Sequence, residues 1–309
     1  MKAFKFKASD DTDVHCYHWA PKTQPKAVIH IAHGMGEHAA RYDWVASQLT
    51  DAGFYIYASD HRGHGQTADK LGQFGPDGWN RTLLDLREMI IAHKANHRDL
   101  PIILLGHSMG SMLAQQYIEL HGETVDAAVL SGSPGFTHPL LSWVARVITI
   151  VETWRFGDER VSGLLKKLVF DNSNANFETN SSEGNGFEWL SRDRDQVQAY
   201  VDDKMCGFVP FPASLKLMFT GAHWTQKKQN VGKIPASLPI YLFSGSADPV
   251  HSELKNVERL LEKYRHAGLT VDTRYHADGR HEMFNEINRD EVITDLLAWL
   301  TKTLASSAD

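Results

Sequence analysis

The chain has 309 residues, of which 42% are hydrophobic and 23% charged, and a formal net charge of -6. Such totals describe an ordinary soluble globular chain with apolar material for a full core, and the length suits one large α/β unit or two smaller ones. Acids and bases are mixed along the sequence, so no basic face offers itself to nucleic acid, whose phosphates require one.

Short apolar runs alternate with longer amphipathic stretches. Val28-Ile29-His30-Ile31-Ala32 reads as a buried strand, and Arg41 to Ala52 as a helix that Gly53 is placed to end. Phe54-Tyr55-Ile56-Tyr57-Ala58 is a second strand. Trp79, Leu83, Leu86 and Ile90 recur at helical spacing, which predicts a helix over Asp77 to His97 with one buried face. Pro101-Ile102-Ile103-Leu104-Leu105 is a third strand, Met109 to His121 a helix, and Ala127-Ala128-Val129-Leu130 a fourth strand. The rhythm breaks between about Gly135 and Pro235, where helices and polar loops replace clear strands, and Asn172 to Gly186 reads as an exposed loop. It resumes with strand Pro239 to Phe243, helix Glu253 to His266, strand Thr270 to Tyr275 and a closing helix over Asp290 to Leu304. Fully apolar strands between helices predict an α/β fold, with a mostly parallel sheet covered on both faces. The expected division is a core over residues 1–134 and 236–309 and a helical cap over residues 135–235.

The chemistry centres on Gly106-His107-Ser108-Met109-Gly110, a G-x-S-x-G run. A buried strand leads into it and a helix leads out, the setting of a nucleophile elbow. The turn is too tight for side chains at Gly106 and Gly110, and it holds Ser108 above the carboxyl edge of the sheet. A serine hydroxyl needs a base, and in this setting an acid and then a histidine follow in chain order. Asp248 lies just past the strand ending at Phe243. It could serve as the acid or merely cap the next helix; Pro249 and Val250 intervene, which favours the acid. Two histidines compete as base: His281, on a loop after a Gly turn, is preferred over His276, at the strand end where structural histidines are common. The oxyanion donors are expected to be the backbone N–H groups of Met109, after the nucleophile, and of Met35, in the His33-Gly34-Met35-Gly36 loop; His33 reads as a structural hydrogen-bonder. Asp60-His61-Arg62-Gly63-His64-Gly65 matches no zinc spacing and reads as a rigid turn beside that loop.

Cys16 and Cys206 are far apart and are expected as free thiols. Met1 to Lys7 alternates charge and bulk with no signal-peptide stretch after it, and no run of about 18 apolar residues occurs, so the expected location is cytoplasmic. Leu140, Leu141, Trp143, Val144, Val147, Ile148, Val151 and Trp154 form a strongly apolar helix within the cap. Either it is buried against the core, or it is a lid whose outer face touches the inner membrane surface and whose inner face lines an acyl channel. Leu164, Leu165, Leu168, Val169, Phe170, Leu215, Leu217, Met218 and Phe219 could extend that greasy surface.

Together, His33-Gly34-Met35-Gly36-Glu37-His38, Asp60 to Gly65, Gly106 to Gly110, Gly245-Ser246-Ala247-Asp248 and Gly279-Arg280-His281-Glu282 resemble the monoacylglycerol lipase and lysophospholipase family of α/β-hydrolases, in its bacterial form. The resemblance implies an α/β-hydrolase fold, a triad of Ser108, Asp248 and His281, and an oxyanion hole from Met35 and Met109. It implies hydrolysis of a small lipid ester with one acyl chain, monoacylglycerol first and lysophospholipid or a general carboxylester second, without metal or organic cofactor. Acyl transfer to another alcohol would use the same acyl-enzyme. A non-catalytic ligand-binding protein on this scaffold would be expected to lack a triad member, and dehalogenase or epoxide hydrolase chemistry would need an Asp where Ser108 stands.

Overall fold

A computed structural model describes residues 1–177, 184–252 and 254–306. Eight strands form a single sheet: β1 (Lys2–Lys7), β2 (Asp13–Trp19), β3 (Ala27–Ala32), β4 (Phe54–Ser59), β5 (Ile102–His107), β6 (Ala127–Ser131), β7 (Ile240–Gly245) and β8 (Val271–His276), in spatial order β1-β2-β4-β3-β5-β6-β7-β8. β3 through β8 run parallel, while β1 and β2 form an antiparallel edge hairpin joined to β4.

Side chains alternate across each strand, so each apolar run feeds two cores. From β3, β5, β6 and β7, Val28, Leu104, Leu130 and Leu242 enter one core, and Ile29, Ile103, Val129 and Phe243 the other. Helices α1 (Asp43–Asp51), α2 (Gly78–Asn96) and α3 (Met109–His121) follow β3, β4 and β5. The excursion between β6 and β7 carries α4 (Pro139–Phe156), α5 (Gly163–Lys166), α6 (Asn172–Asn174), α7 (Arg194–Asp202), α8 (Pro212–Thr225) and α9 (Lys228–Val231). α10 (Lys255–His266) and α11 (Arg289–Ser306) complete the core. Residues of α2, α3 and α10 cover one face, and those of α1 and α11 the other.

Two expectations change, and the N-terminus gains an assignment. The N-terminal alternation of lysine and phenylalanine is a strand: Phe4 and Phe6 pair in register with Cys16 and Val14 and pack on the core, while the lysines guard an edge. Asn172 to Gly186 is not a loop throughout. Asn172–Asn174 is helical, and Asn174 is buried, accepting the Trp189 N–H at 3.0 Å and donating to Glu188 at 2.7 Å; residues 178–183 lie outside the described part. Leu215 and Met218 are buried in the core on α8 and extend no outer surface.

α4 is inside out. Thr149 and Glu152 are its buried residues, whereas Leu140, Trp143 and Trp154 are 61%, 60% and 88% exposed. Glu152 tolerates burial because it accepts hydrogen bonds from the Ser162 hydroxyl and from Arg155. Among the described residues no helix is long and apolar enough to cross a membrane.

Candidate active site

The strand order reverses direction at β3, which has β4 on one side and β5 on the other. Open α/β sheets bind ligands at such a switch point, beyond the carboxyl ends of the strands. The loop after β3 and the turn after β5 meet there.

Ser108 occupies that turn with φ 52° and ψ -115°, a conformation a non-glycine residue seldom adopts. The flanking glycines are a packing requirement: a Cβ on Gly106 would lie 2.2 Å from the Gly110 carbonyl oxygen, and one on Gly110 would lie 2.0 Å from that of Ala32. His281 Nε2 is 2.9 Å from Ser108 Oγ, and His281 Nδ1 is 2.9 Å from Asp248 Oδ2. Asp248 is both candidate acid and turn former, because its Oδ1 accepts the Val250 N–H at 2.9 Å. Burial alone would raise the Asp248 carboxyl, but the facing His281 outweighs it and holds the carboxyl below its usual range. Burial would likewise lower His281, and the Asp248 charge and hydrogen bond raise it instead. His276 sits buried at the end of β8, its Nδ1 3.6 Å from Glu291.

The loop after β3 closes on Ser108. A Cβ on Gly34 would fall 3.2 Å from Ser108 Cβ. Met35 and Met109 both border the space over Ser108, with Met109 opening α3, where helical N–H groups point outward. His33 is the expected hydrogen-bonder: Nδ1 lies 2.7 Å from the Gly34 carbonyl and Nε2 accepts the His61 N–H at 3.0 Å. Asp60 ties the neighbouring turn by accepting from the Ala39 and Gln66 N–H groups.

A clamp absent from the motif reading fastens the two halves of the site. Glu37 accepts the Gly34 N–H at 2.6 Å, and Arg41 joins Glu37 at 2.6 Å to both oxygens of Glu282 at 2.7 and 2.8 Å. Glu282 directly follows His281, so one guanidinium links the loop after β3 to the segment that carries His281. Burial would raise Glu282, but Arg41 outweighs it and holds the carboxyl at about 2; Glu37, sharing the same cation, is raised by burial. Arg41→Met strands two buried carboxylates. It is expected to cost about 3–5 kcal/mol and lower Tm by on the order of 10 °C. Thermal unfolding checks this, and a loss below about 1 kcal/mol would refute the clamp. Trp189 adds a second support: its carbonyl accepts the His281 N–H at 3.3 Å and its ring centroid lies 5.0 Å from that of His281.

Above Ser108 opens a cavity of about 620 Å³. Leu141, Val144 and Ile148 of α4, Leu168 and Phe170 of the following segment, and Phe219 of α8 are among its apolar walls. Glu37 and Glu282 are the carboxylates on its described lining, both already bound to Arg41, and that lining includes no lysine or arginine.

Known proteins share this architecture. The chain is 28% identical over 299 residues to a monoacylglycerol lipase of Mycolicibacterium smegmatis, covering 93% of this chain and 92% of that one. It is 24% identical to the mouse monoglyceride lipase, covering 97% and 90%. A thermostable carboxyl esterase of Bacillus coagulans, solved with glycerol, superposes with a TM-score of 0.89 at 24% identity over 98% of both chains, which identifies the fold as that of the α/β-hydrolases. The model of the Hydrolase_4 family, serine aminopeptidase S33, matches residues 23–288. On that match, the chain belongs to the serine aminopeptidase S33 family and is a serine hydrolase of the α/β-hydrolase fold.

Proposed function

We propose that the esters this hydrolase cleaves are those of lipids with one acyl chain, monoacylglycerol first among them, through an acyl-Ser108 intermediate. The observation that carries the reading is an apolar cavity of about 620 Å³ placed directly over the Ser108–His281–Asp248 chain of hydrogen bonds. That volume suits one small ligand. The lining argues for an uncharged headgroup. A lysophospholipid phosphate would find no lysine or arginine there, and a peptide α-ammonium would find only carboxylates already paired with Arg41. The mycobacterial and mouse relatives support the same choice by name.

In the proposed reaction His281 Nε2 takes the Ser108 proton as the oxygen attacks the ester carbonyl. The N–H groups of Met35 and Met109 receive the oxyanion, and Asp248 stabilises the imidazolium. His281 then protonates the leaving alcohol, and water repeats the sequence on the acyl-enzyme.

Residues 135–235 act in this reading as a cap between core segments 1–134 and 236–309, with the exposed face of α4 resting on lipid. Trp143, Trp154, Leu140 and Ile150 on that face support a peripheral contact. Both parts are tested together. Monoacylglycerols of increasing chain length, lysophosphatidylcholine and short nitrophenyl esters are offered to the wild type and to Trp143→Asp, with vesicle co-sedimentation alongside. Long-chain monoacylglycerols are expected to turn over fastest, and Trp143→Asp to lose vesicle binding while keeping the short esters. Turnover of short esters alone would refute the acyl channel, and unchanged co-sedimentation would refute the lipid contact.

A further inference from the structure

We propose that His38, Asp203 and Cys206 form a binding site for Zn²⁺ that staples the cap to the oxyanion loop. His38 directly follows Glu37 in that loop, and Asp203 and Cys206 lie on the turn after α7, where the Cys206 N–H donates to the Asp203 carbonyl at 2.9 Å. The two segments already meet: Gly36 accepts the Gly207 N–H at 2.9 Å and the Tyr200 hydroxyl at 2.8 Å.

The three side chains offer an imidazole nitrogen, a carboxylate oxygen and a sulfur whose ligand atoms all lie within 4.8 Å of one another, with His38 Nε2 2.8 Å from Asp203 Oδ2. Around tetrahedral zinc, with bonds of about 2.0–2.3 Å, the nitrogen and oxygen stand about 3.3 Å apart and each about 3.5 Å from the sulfur. The His38–Asp203 pair must therefore open by about half an ångström and the sulfur pairs close by up to about 1.3 Å, which side-chain rotation on a turn can supply. A nitrogen–oxygen–sulfur set selects zinc over magnesium or calcium, which take oxygen. The nearby cation, Arg41, is engaged by Glu37 and Glu282 and does not stand against a second one. In the empty site Asp203 accepts from the His38 Nε2–H, and binding the ion at Nε2 moves that proton to Nδ1, which has no other hydrogen-bond partner. Asp203 is 29% exposed and gives the ion access. Binding breaks the His38–Asp203 hydrogen bond and releases the Cys206 thiol proton to solvent, so affinity rises with pH.

Co²⁺ is the probe, titrated into the intact chain and then displaced by Zn²⁺. One equivalent is expected to give a thiolate-to-cobalt charge-transfer band that Zn²⁺ removes. Cys206→Ser should abolish the band and Cys16→Ser leave it, while Asp203→Asn, which retains the thiol, should weaken affinity at least about 10-fold. As an independent readout, Zn²⁺ should raise the Tm of the wild type and not that of Cys206→Ser. No band, a band that survives Cys206→Ser, or unchanged affinity in Asp203→Asn overturns the site.

Discussion

Ser108→Ala is expected to lower kcat on any ester substrate by ~10⁴–10⁶-fold while leaving the fold intact. The substitution removes the proposed nucleophile and, of its side-chain hydrogen bonds, the one to His281 Nε2 at 2.9 Å. Residual rate would come from substrate binding and the oxyanion donors alone. Asp248→Asn should cost about 10⁴-fold, because an amide facing His281 Nδ1 no longer stabilises the imidazolium or selects the tautomer that leaves Nε2 free. The pair also predicts a pH profile. His281 must be neutral to accept the proton, and Asp248 raises it above its ordinary value of 6.5, so kcat/KM should fall on the acid side with a midpoint above 6.5. Asp248→Asn leaves the burial and removes the opposing charge, so that midpoint should move down. Steady-state kinetics between pH 5 and 9 checks both. An Asn variant within tenfold of wild type, or an acid limb that stays in place, would remove Asp248 from the mechanism.

What was legible in the sequence is what local stereochemistry dictates. Gly106 and Gly110 must be glycine because carbonyl oxygens lie where their Cβ atoms would be, so the elbow announces itself within five residues. Asp248 and His281 follow because parallel strands deliver their loops to one edge, and chain order then selects candidates. The Arg41 clamp was not legible: Glu37 is only 4 residues away, but Glu282 is 241 away, and nothing short of the fold brings it to the pair. α4 reads as either a buried helix or a lid, and the fold divides it: Leu141, Val144 and Ile148 border the cavity, Trp143 and Trp154 are exposed, and the buried Glu152 is held by Arg155 one turn along the helix and by Ser162 beyond its end. The edge hairpin was missed for a simpler reason. Lys5 between Phe4 and Phe6 leaves an alternation too short to mark a strand by itself, and the pairing with β2 makes it plain.

Of the 17 histidines, the fold buries a set in contact. His30 Nδ1 lies 3.1 Å from His93 Nε2, and the His33 ring centroid is 4.1 Å from that of His61 and 5.1 Å from that of His64. Burial pushes His30 and His64 down to about 4 and His107 to about 3, and it lowers His33, His61 and His93 as well. Each is neutral in the folded chain and takes a proton more readily once unfolded, at an ordinary value of 6.5. Their contribution is therefore complete above pH 6.5 and lost as pH falls from there toward about 4. His281, raised by Asp248, works in the other direction, its contribution present below 6.5 and lost as pH rises through its folded value, but it is one group against six. For His30 and His64 the drop from 6.5 to about 4 corresponds to roughly 3 kcal/mol each. Two such groups alone match the lower end of the ~5–15 kcal/mol that holds a protein folded. The protein should accordingly lose stability and unfold on acidification, with the loss beginning near pH 6.5. Tryptophan fluorescence and near-ultraviolet circular dichroism against pH read the transition directly. A native signal retained at pH 4 would mean that these histidines gain solvent or partners on protonation, and the neutral buried network would have to be abandoned.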